Sequence, residues 1–167
     1  LGAATQASAA LMGVDFGGNL YSISETTGAA TAVGASGFAR LNSLALNNAG
    51  VLYTATDNAN NAPGDDRLLT LNQSNGAGTA VATLNFGAVD PDVRSMAFRA
   101  SDGALFAVNA GGGGSTFQNS LFRIDVSTGA GTLVAALGNF GIQGLDFSPI
   151  SGVLYGWSGS LGLVSID

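Results

Sequence analysis

The sequence predicts an all-β fold, a β-propeller-like array of about four meander modules with three to four antiparallel strands each. Two observations predict this fold. Two short sequence elements recur along the chain at a spacing of about 50 residues, close to that of a four-stranded propeller blade. The chain also contains 26 Gly and only 10% charged residues, a composition that suits short strands and tight turns better than long helices.

The first repeated element is a short apolar strand, a turn, and a second strand that begins with Leu and an aromatic residue. It reads SLALNNAGVLYTATD from Ser43, SMAFRASDGALFAVNA from Ser95 and GLDFSPISGVLYGWSG from Gly144. An almost wholly apolar strand is typical of a position that is crowded on both faces. The element therefore predicts the two inner strands of a module.

The second repeated element is a strand, a Gly turn and a strand rich in Thr and Val. It reads LYSISETTGAATAVG from Leu20, LLTLNQSNGAGTAVA from Leu68 and LFRIDVSTGAGTLVA from Leu121. Gly adopts the positive φ that a tight hairpin turn needs. Because side chains alternate along a strand, Phe122 and Ile124 are predicted to face away from Leu121. The element predicts the third and outer strands of a module.

Together the two elements predict one domain, in which the first and last modules are incomplete. The modules fall at about 11–40, 41–92, 93–141 and 142–167. The first module lacks an inner strand, and the closing LGLVSID from Leu161 is a third strand that ends before its Gly turn. Residues 1–10 are predicted to be an extended arm that supplies a missing strand. Alternatively they are a signal-peptide remnant, because Ala7–Ala9 have the small side chains of a cleavage site.

The charge distribution and the lengths of the apolar runs argue against nucleic-acid binding and membrane insertion. The net charge is −6, Lys is absent, and the five Arg are scattered along the sequence. No basic stripe is available to neutralise phosphate groups, so nucleic-acid binding is not predicted. No apolar run reaches the length of about 18 residues that a membrane helix needs, so membrane insertion is not predicted.

The missing residue types argue against catalysis. The chain has no His, no Cys and no Lys, which removes the commonest general base, thiolate nucleophiles and Schiff-base chemistry. The absence of Cys also excludes disulfides. On these grounds the sequence predicts that the chain is not an enzyme.

The units GLDFSPISGVLYGWS and LFRIDVSTGAGTLVAALG resemble the repeats of a largely uncharacterised family of secreted bacterial β-propeller-like proteins. Repeats of that family read G-[IL]-D-F-x-P-x-x-G-x-L-Y, followed by L-Y-x-I-D-x-x-T-G-x-x-T-x-V-G. The resemblance covers residues 11–167. It implies the repeat architecture and an extracellular or cell-surface location in bacteria, and it implies no activity.

One acidic loop, DNANNAPGDD, is a candidate calcium site. Calcium binds six to eight oxygen ligands, and this loop offers several. The candidate ligands are Asp57, Asn61, Asp65 and Asp66. Their spacing does not match an EF-hand loop, and the alternative is a solvated loop between the second and third strands of a module. No other cofactor is predicted.

Two aromatic residues near a strand end are candidate contacts for a ligand or a partner. Trp157 is the only Trp, and Tyr155 lies two residues before it. An exposed Trp could stack on a sugar ring, which would make glycans a partner. The alternative is that Trp157 packs against the next module or another subunit.

Three polar residues precede the inner strands, namely Arg40, Arg94 and Gln143. They are predicted either to line the central axis or to pair with Asp92 and Asp146.

The side chain of Asp125 is predicted to cap the Gly turn that follows it.

The incomplete modules lead to the predicted function. Unpaired strand edges recruit other chains, and this sequence places no Lys to protect them. We therefore predict an extracellular structural protein that assembles with copies of itself into a filament, sheath or matrix. The assembly edges are predicted at Ala7, Ala9, Leu11, Leu163 and Ile166. The alternative function is that of a secreted carbohydrate- or protein-binding propeller module. A more remote alternative is a lyase or hydrolase with a propeller fold.

Overall fold

The computed structural model describes residues 11–57, 66–88, 90–110 and 119–167, and within these residues the fold is all-β. The strands form four antiparallel sheets, accompanied by one short 3-10 helix at Gly138–Phe140. The prediction of an all-β, propeller-like array of four meander modules is confirmed, and the described first and last modules have three strands each. In the described part of the chain, no helix is long and apolar enough to cross a membrane.

Each sheet is a meander of strands that are consecutive in the sequence, and we number the sheets as modules 1 to 4. Modules 1 and 4 have three strands each. Module 1 contains β1 (Leu11–Val14), β2 (Asn19–Ile23) and β3 (Ala30–Ala35). Its neighbour in the chain, module 2, contains β4 (Ala45–Leu46), β5 (Leu52–Ala55), β6 (Arg67–Leu71) and β7 (Gly78–Thr83).

Module 3 repeats the four-stranded arrangement of module 2. It contains β8 (Val93–Phe98), β9 (Leu105–Asn109), β10 (Ser120–Ile124) and β11 (Gly131–Ala136). Module 4 contains β12 (Ile142–Phe147), β13 (Leu154–Ser158) and β14 (Gly162–Ile166). The first strand of modules 2, 3 and 4 is the inner strand, and β3, β7 and β11 are outer strands with mostly exposed or half-exposed residues.

Strand alternation positions the core as predicted. In β10, Leu121 belongs to the apolar cluster between modules 3 and 4, whereas Phe122 and Ile124 belong to the cluster between modules 2 and 3. The stacked rings of Phe86 and Phe122, whose centroids are 4.4 Å apart, strengthen the second cluster. The sheets of modules 2 and 3 are thus apolar on both faces because each is packed between two others.

The Gly turns between third and outer strands also join neighbouring modules. Gly129, with φ 75°, lies against the outer strand of module 2, and its backbone carbonyl accepts a hydrogen bond from the Asn85 amide at 2.9 Å. The amide of Gly131 donates back to the Asn85 carbonyl at 2.8 Å. Between modules 1 and 2, the Gly78 amide donates to the Ser36 carbonyl at 2.9 Å. The turn of one module therefore docks on the end of the preceding outer strand.

Candidate functional site

A left-handed residue precedes each of the three inner strands. These residues are Arg40 with φ 60°, Asp92 with φ 29° and Gly141 with φ 55°. In modules 2 and 3 the carbonyl of this residue accepts an amide hydrogen bond at 2.9 Å, from Asp57 to Arg40 and from Ala110 to Asp92. Non-Gly residues in this backbone region are strained and are often found at functional sites. The sharp corners bring Arg40 and Asp92 to the same end of the array.

Four carboxylates gather at this end, at the boundary of modules 2 and 3. They are Asp57, Asp66, Asp90 and Asp92, and all but Asp57 are buried. The Asp92 amide donates to Asp66 Oδ2 at 3.1 Å. Arg94 forms a 3.7 Å ion pair with Asp92, which is one of the two alternatives that the sequence left open.

Arg40 pairs with a different carboxylate from those predicted. Its Nε donates to the Asp57 carbonyl at 2.7 Å, and its NH2 group lies 3.4 Å from Asp57 Oδ2. The sequence had left two alternatives open for Arg40, lining the central axis or pairing with Asp92 or Asp146. The left-handed backbone at Arg40 directs the Arg40 carbonyl toward the Asp57 amide, which donates a hydrogen bond to it. This bond holds the Asp57 carboxylate beside the Arg40 guanidinium.

The pKa values of the Asp90 and Asp92 carboxyl groups are both raised. Burial, together with the Asp57 carboxylate, raises the pKa of Asp90. Burial likewise raises the pKa of Asp92, and the Arg94 guanidinium opposes that rise. Neither oxygen of Asp90 has a hydrogen-bond partner of normal geometry among the described residues. The cluster therefore favours a proton on Asp90.

Replacing Asp90 by Asn tests the raised pKa. In the folded chain the raised pKa means that Asp90 binds a proton at pH values where the unfolded chain has lost it. The free energy of unfolding therefore falls as the pH rises from 3.8, the ordinary pKa of Asp, through the raised pKa of Asp90. The loss of stability persists at neutral pH. We expect Asp90→Asn to raise the free energy of unfolding at pH 7 by on the order of 1 kcal/mol, as measured by urea denaturation.

The same comparison at acid pH serves as the control. Near pH 3 both proteins carry an uncharged side chain at this position, so the two unfolding curves should converge. A variant that is less stable than the parent at pH 7 would contradict the raised pKa.

The described residues include only two of the four predicted calcium ligands. Asp57 and Asp66 lie at the two ends of their loop, whereas Asn61 and Asp65 fall outside the described residues. No group of three or more acidic side chains in the described residues is arranged to hold a metal ion. With two of its four candidate ligands outside the described residues, the calcium site stays a prediction.

A groove between modules 3 and 4 is a second candidate site, which we call the outer-strand slot. It has a volume of about 260 Å³ and lies between β11 and β14. Its lining includes Ala135, Ala136, Leu137, Phe140, Val164 and Ile166. Among the described strands, β14 is hydrogen-bonded only to β13, so its other edge has no partner among them.

The repeat shows what fills the equivalent place elsewhere. Ala135 pairs with Leu121, as Ala82 pairs with Leu68 in module 2. The turn of module 3 is seated against that part of β7, since a Cβ on Gly129 would come 2.1 Å from the Thr83 carbonyl oxygen and 3.1 Å from the Ala82 Cβ. The outer-strand slot therefore occupies the position that a Gly turn and an outer strand take in the complete modules.

The predicted contact and edge residues are distributed around module 4 and module 1. Trp157 is 55% exposed and Tyr155 is half-buried. Leu163 is 66% exposed and Leu11 is 51% exposed, whereas Ile166 packs against the cluster between modules 3 and 4. Ala7 and Ala9, with the predicted arm, lie outside the described residues.

Asp125 caps its turn as predicted. Its Oδ1 accepts hydrogen bonds from the Ser127 amide at 2.8 Å and from the Ser127 hydroxyl at 2.6 Å. These bonds lower the pKa of Asp125. Asn72 accepts the equivalent bonds from Ser74 in module 2, so the same cap is built from an amide there.

Sequence reasoning missed Asp90 and the wall of the outer-strand slot that β11 provides. The stretch DPDVR, at residues 90–94, places Asp90 two residues before the left-handed Asp92, and this doublet was the available signal for the buried acid. The sequence indicated the edge on β14, but the second wall had no local signal because β11 belongs to a different module.

Comparison with known proteins supports the fold. No protein-family model and no curated protein matches the chain. Among solved structures, the chain is similar to a protein of unknown function from Bacteroides thetaiotaomicron, with a TM-score of 0.59 and 15% identity over 93% of this chain and 41% of that one. It is also similar to regucalcin, a calcium-binding protein from Agrobacterium tumefaciens, with a TM-score of 0.51 and 17% identity over 85% of this chain and 48% of that one.

A third similar structure is an enzyme, the PQQ-bound aldose sugar dehydrogenase from Streptomyces coelicolor. Its TM-score is 0.54, with 19% identity over 79% of this chain and 46% of that one. The chain spans less than half the length of each of these three structures. Their similarity shows that the chain has a β-propeller-type fold.

The prediction that the chain is not an enzyme is corrected by this comparison. It rested on the missing His, Lys and Cys, and a sugar dehydrogenase nevertheless has the same type of fold. Such a fold carries catalysis in at least that protein, where a bound cofactor accompanies the chain. Missing side-chain reagents therefore do not exclude an enzymatic role.

Proposed function

We propose that the chain is a structural protein that assembles by strand-edge complementation, outside or on the surface of a bacterial cell. The observation that carries the proposal is the outer-strand slot beside the open edge of β14. An open edge presents unpaired amide and carbonyl groups to any strand of matching register. The slot adds an apolar seat of about 260 Å³ beside that edge.

Two further features support this proposal. The chain carries no Lys, and its exposed outer strands show Val81, Leu133 and Val134 rather than charges. Natural proteins usually protect strand edges with charged residues, above all Lys. The resemblance of the repeats to those of secreted bacterial proteins supports the extracellular location. Copies of this chain are the proposed partners in a filament, sheath or matrix.

A synthetic outer strand tests complementation directly. The peptide STGAGTLVAA, which reproduces residues 127–136, contains a Gly turn and an outer strand of the repeat. We expect saturable binding in fluorescence anisotropy and a higher melting temperature of the protein. A control peptide with Val in place of Gly129 should bind at least about tenfold more weakly, a difference of about 1.4 kcal/mol, because its Cβ would enter the seat that Gly occupies in module 3.

Two outcomes would contradict strand-edge complementation. One is the absence of binding by the Gly peptide up to its solubility limit. The other is equal binding of the Gly and Val peptides, since that would show association without the close approach of the turn. Negative-stain microscopy of the protein alone would show whether copies assemble into extended particles.

A second candidate function is glycan binding. The observation in its favour is Trp157, which is 55% exposed and lies two residues from Tyr155 on the same face of β13. Exposed aromatic rings with one polar edge stack well on sugar rings. Because Trp157 is the only Trp, its fluorescence reports on this surface alone. Titration with a panel of oligosaccharides tests the candidate, and an unchanged emission spectrum would count against it.

A further inference from the structure

The three interfaces between modules use the same register positions. The first face of a module, which packs on the preceding module, presents the second-strand Leu and two apolar residues of the third strand. These residues are Leu52, Leu69 and Leu71 in module 2; Leu105, Phe122 and Ile124 in module 3; and Leu154, Val164 and Ile166 in module 4. The repeat therefore defines a common docking pattern.

The second face of a module, which receives the next one, is equally regular. Its centre is a cross-strand pair between the second and third strands, Ala55 with Leu68 in module 2 and Val108 with Leu121 in module 3. All four residues are buried, between 0% and 4% exposed. The corresponding pair in module 4 is Trp157 with Leu163.

In module 4 this second face is open. Trp157 is 55% exposed and Leu163 is 66% exposed, although they occupy the register of a buried interface. Tyr155 lies on the same face at the position that Phe106 has in module 3. The face carries the apolar residues of an interface and has nothing packed on it in the described residues.

Among the described residues, which begin at Leu11, the first face of module 1 is uncovered as well. Leu11 pairs with Ile23 as Leu105 pairs with Ile124, yet Leu11 is 51% exposed whereas Leu105 is fully buried. The Gly turn of module 1 also has no neighbouring module against it among the described residues. A Cβ on Gly28 would meet nothing within 4 Å, whereas one on Gly129 would collide with the preceding module.

We propose that the second face of module 4 binds the first face of module 1 in a second copy of this chain. The inference rests on the proposed assembly function and names the surfaces that join the copies. A second copy is the occupant because its first face carries the same strand positions, Leu11, Tyr21 and Ile23, that pack on a second face at every interface within the chain. The contact joins two different surfaces, so it is head-to-tail, and it either closes into a ring or continues as a fibre.

The mass of the protein in solution tests this interface. We expect size-exclusion chromatography with light scattering to give at least twice the 16.4 kDa of one chain, increasing with concentration if the contact continues as a fibre. Leu163→Asp and Leu11→Asp should each reduce the mass to 16.4 kDa, because each buries a charge in the joint. The matched control is Leu133→Asp, on the outer strand β11 and 42% exposed, which should retain the mass of the parent protein.

Mixing the two monomeric variants tests the head-to-tail arrangement. Leu163→Asp retains an intact first face, and Leu11→Asp retains an intact second face, so together they can form one unaltered joint. We expect the mixture to contain a dimer that neither variant forms alone. A parent protein that remains at 16.4 kDa up to its solubility limit, or a mixture that stays monomeric, would overturn the inference.

The test is separate from that of strand-edge complementation. Leu163 and Leu11 do not line the outer-strand slot, so a failure of the peptide to bind leaves the mass measurement unaffected. Conversely, peptide binding to a chain that stays monomeric would support edge pairing and overturn the joint between faces. Unchanged circular dichroism spectra of the variants would show that a loss of mass is not a loss of fold.

Discussion

Gly129→Ala is expected to lower the free energy of unfolding by about 2–4 kcal/mol, the sum of a left-handed backbone penalty of about 1 kcal/mol and an overpacking cost. Gly129 has φ 75°, and a Cβ at this position would lie 2.1 Å from the carbonyl oxygen of Thr83. That oxygen belongs to the backbone of module 2, so it cannot move aside as a flexible side chain would. Urea denaturation measures the loss.

Gly28→Ala is the matched control for this prediction. Gly28 has the same place in the turn of module 1 and a similar φ of 71°, but a Cβ there would meet nothing within 4 Å. Its replacement should cost only the backbone penalty, about 1 kcal/mol. The difference between the two variants is the cost of the close approach between modules. Equal losses would show that the turn of module 3 does not need that approach.

Leu68→Ala is expected to lower the free energy of unfolding by about 2–5 kcal/mol, because the removal of a large buried side chain leaves a cavity. Leu68 is fully buried in the cluster between modules 2 and 3. It packs there with Ala55, Leu105 and Phe122, which belong to three different strands. Thermal or chemical denaturation at low protein concentration measures the effect.

Leu163→Ala is the control at the same position of the repeat. Leu163 pairs with Trp157 as Leu68 pairs with Ala55, but its side chain is 66% exposed. In the dissociated chain its replacement should change the free energy of unfolding by less than about 0.5 kcal/mol. A loss as large as that of Leu68→Ala would mean that Leu163 is buried within a single chain, which would contradict the open second face of module 4.

Much of the fold was predictable from local patterns. The alternation in LFRID placed Leu121 on one face of β10 and Phe122 and Ile124 on the other, and the structure agrees. The Gly turns were predictable because few other residues adopt positive φ without strain. Asp125 was predictable as a cap because its partner, Ser127, lies two residues away.

The candidate sites were predictable only in part. Arg94 and Asp92 pair across two residues, so their contact was accessible to sequence reasoning. Asp66 and the Asp92 amide are 26 residues apart and meet only because the crossover into β8 passes the end of β6. The raised pKa of Asp90 depends mainly on its burial, which no local pattern encodes.

The sequence by itself determined the repeat, the all-β architecture and the alternation of side chains, since strand periodicity and turn geometry act over a few residues. The tertiary structure decided which copies of a repeated residue are buried. Leu20, Leu68 and Leu121 are 0%, 0% and 4% exposed, whereas Leu163 is 66% exposed. These four leucines hold the same position in the repeat, so the difference lies in whether another module covers them. Burial depends on contacts between distant segments, and therefore only the packed array distinguishes a core residue from an open interface.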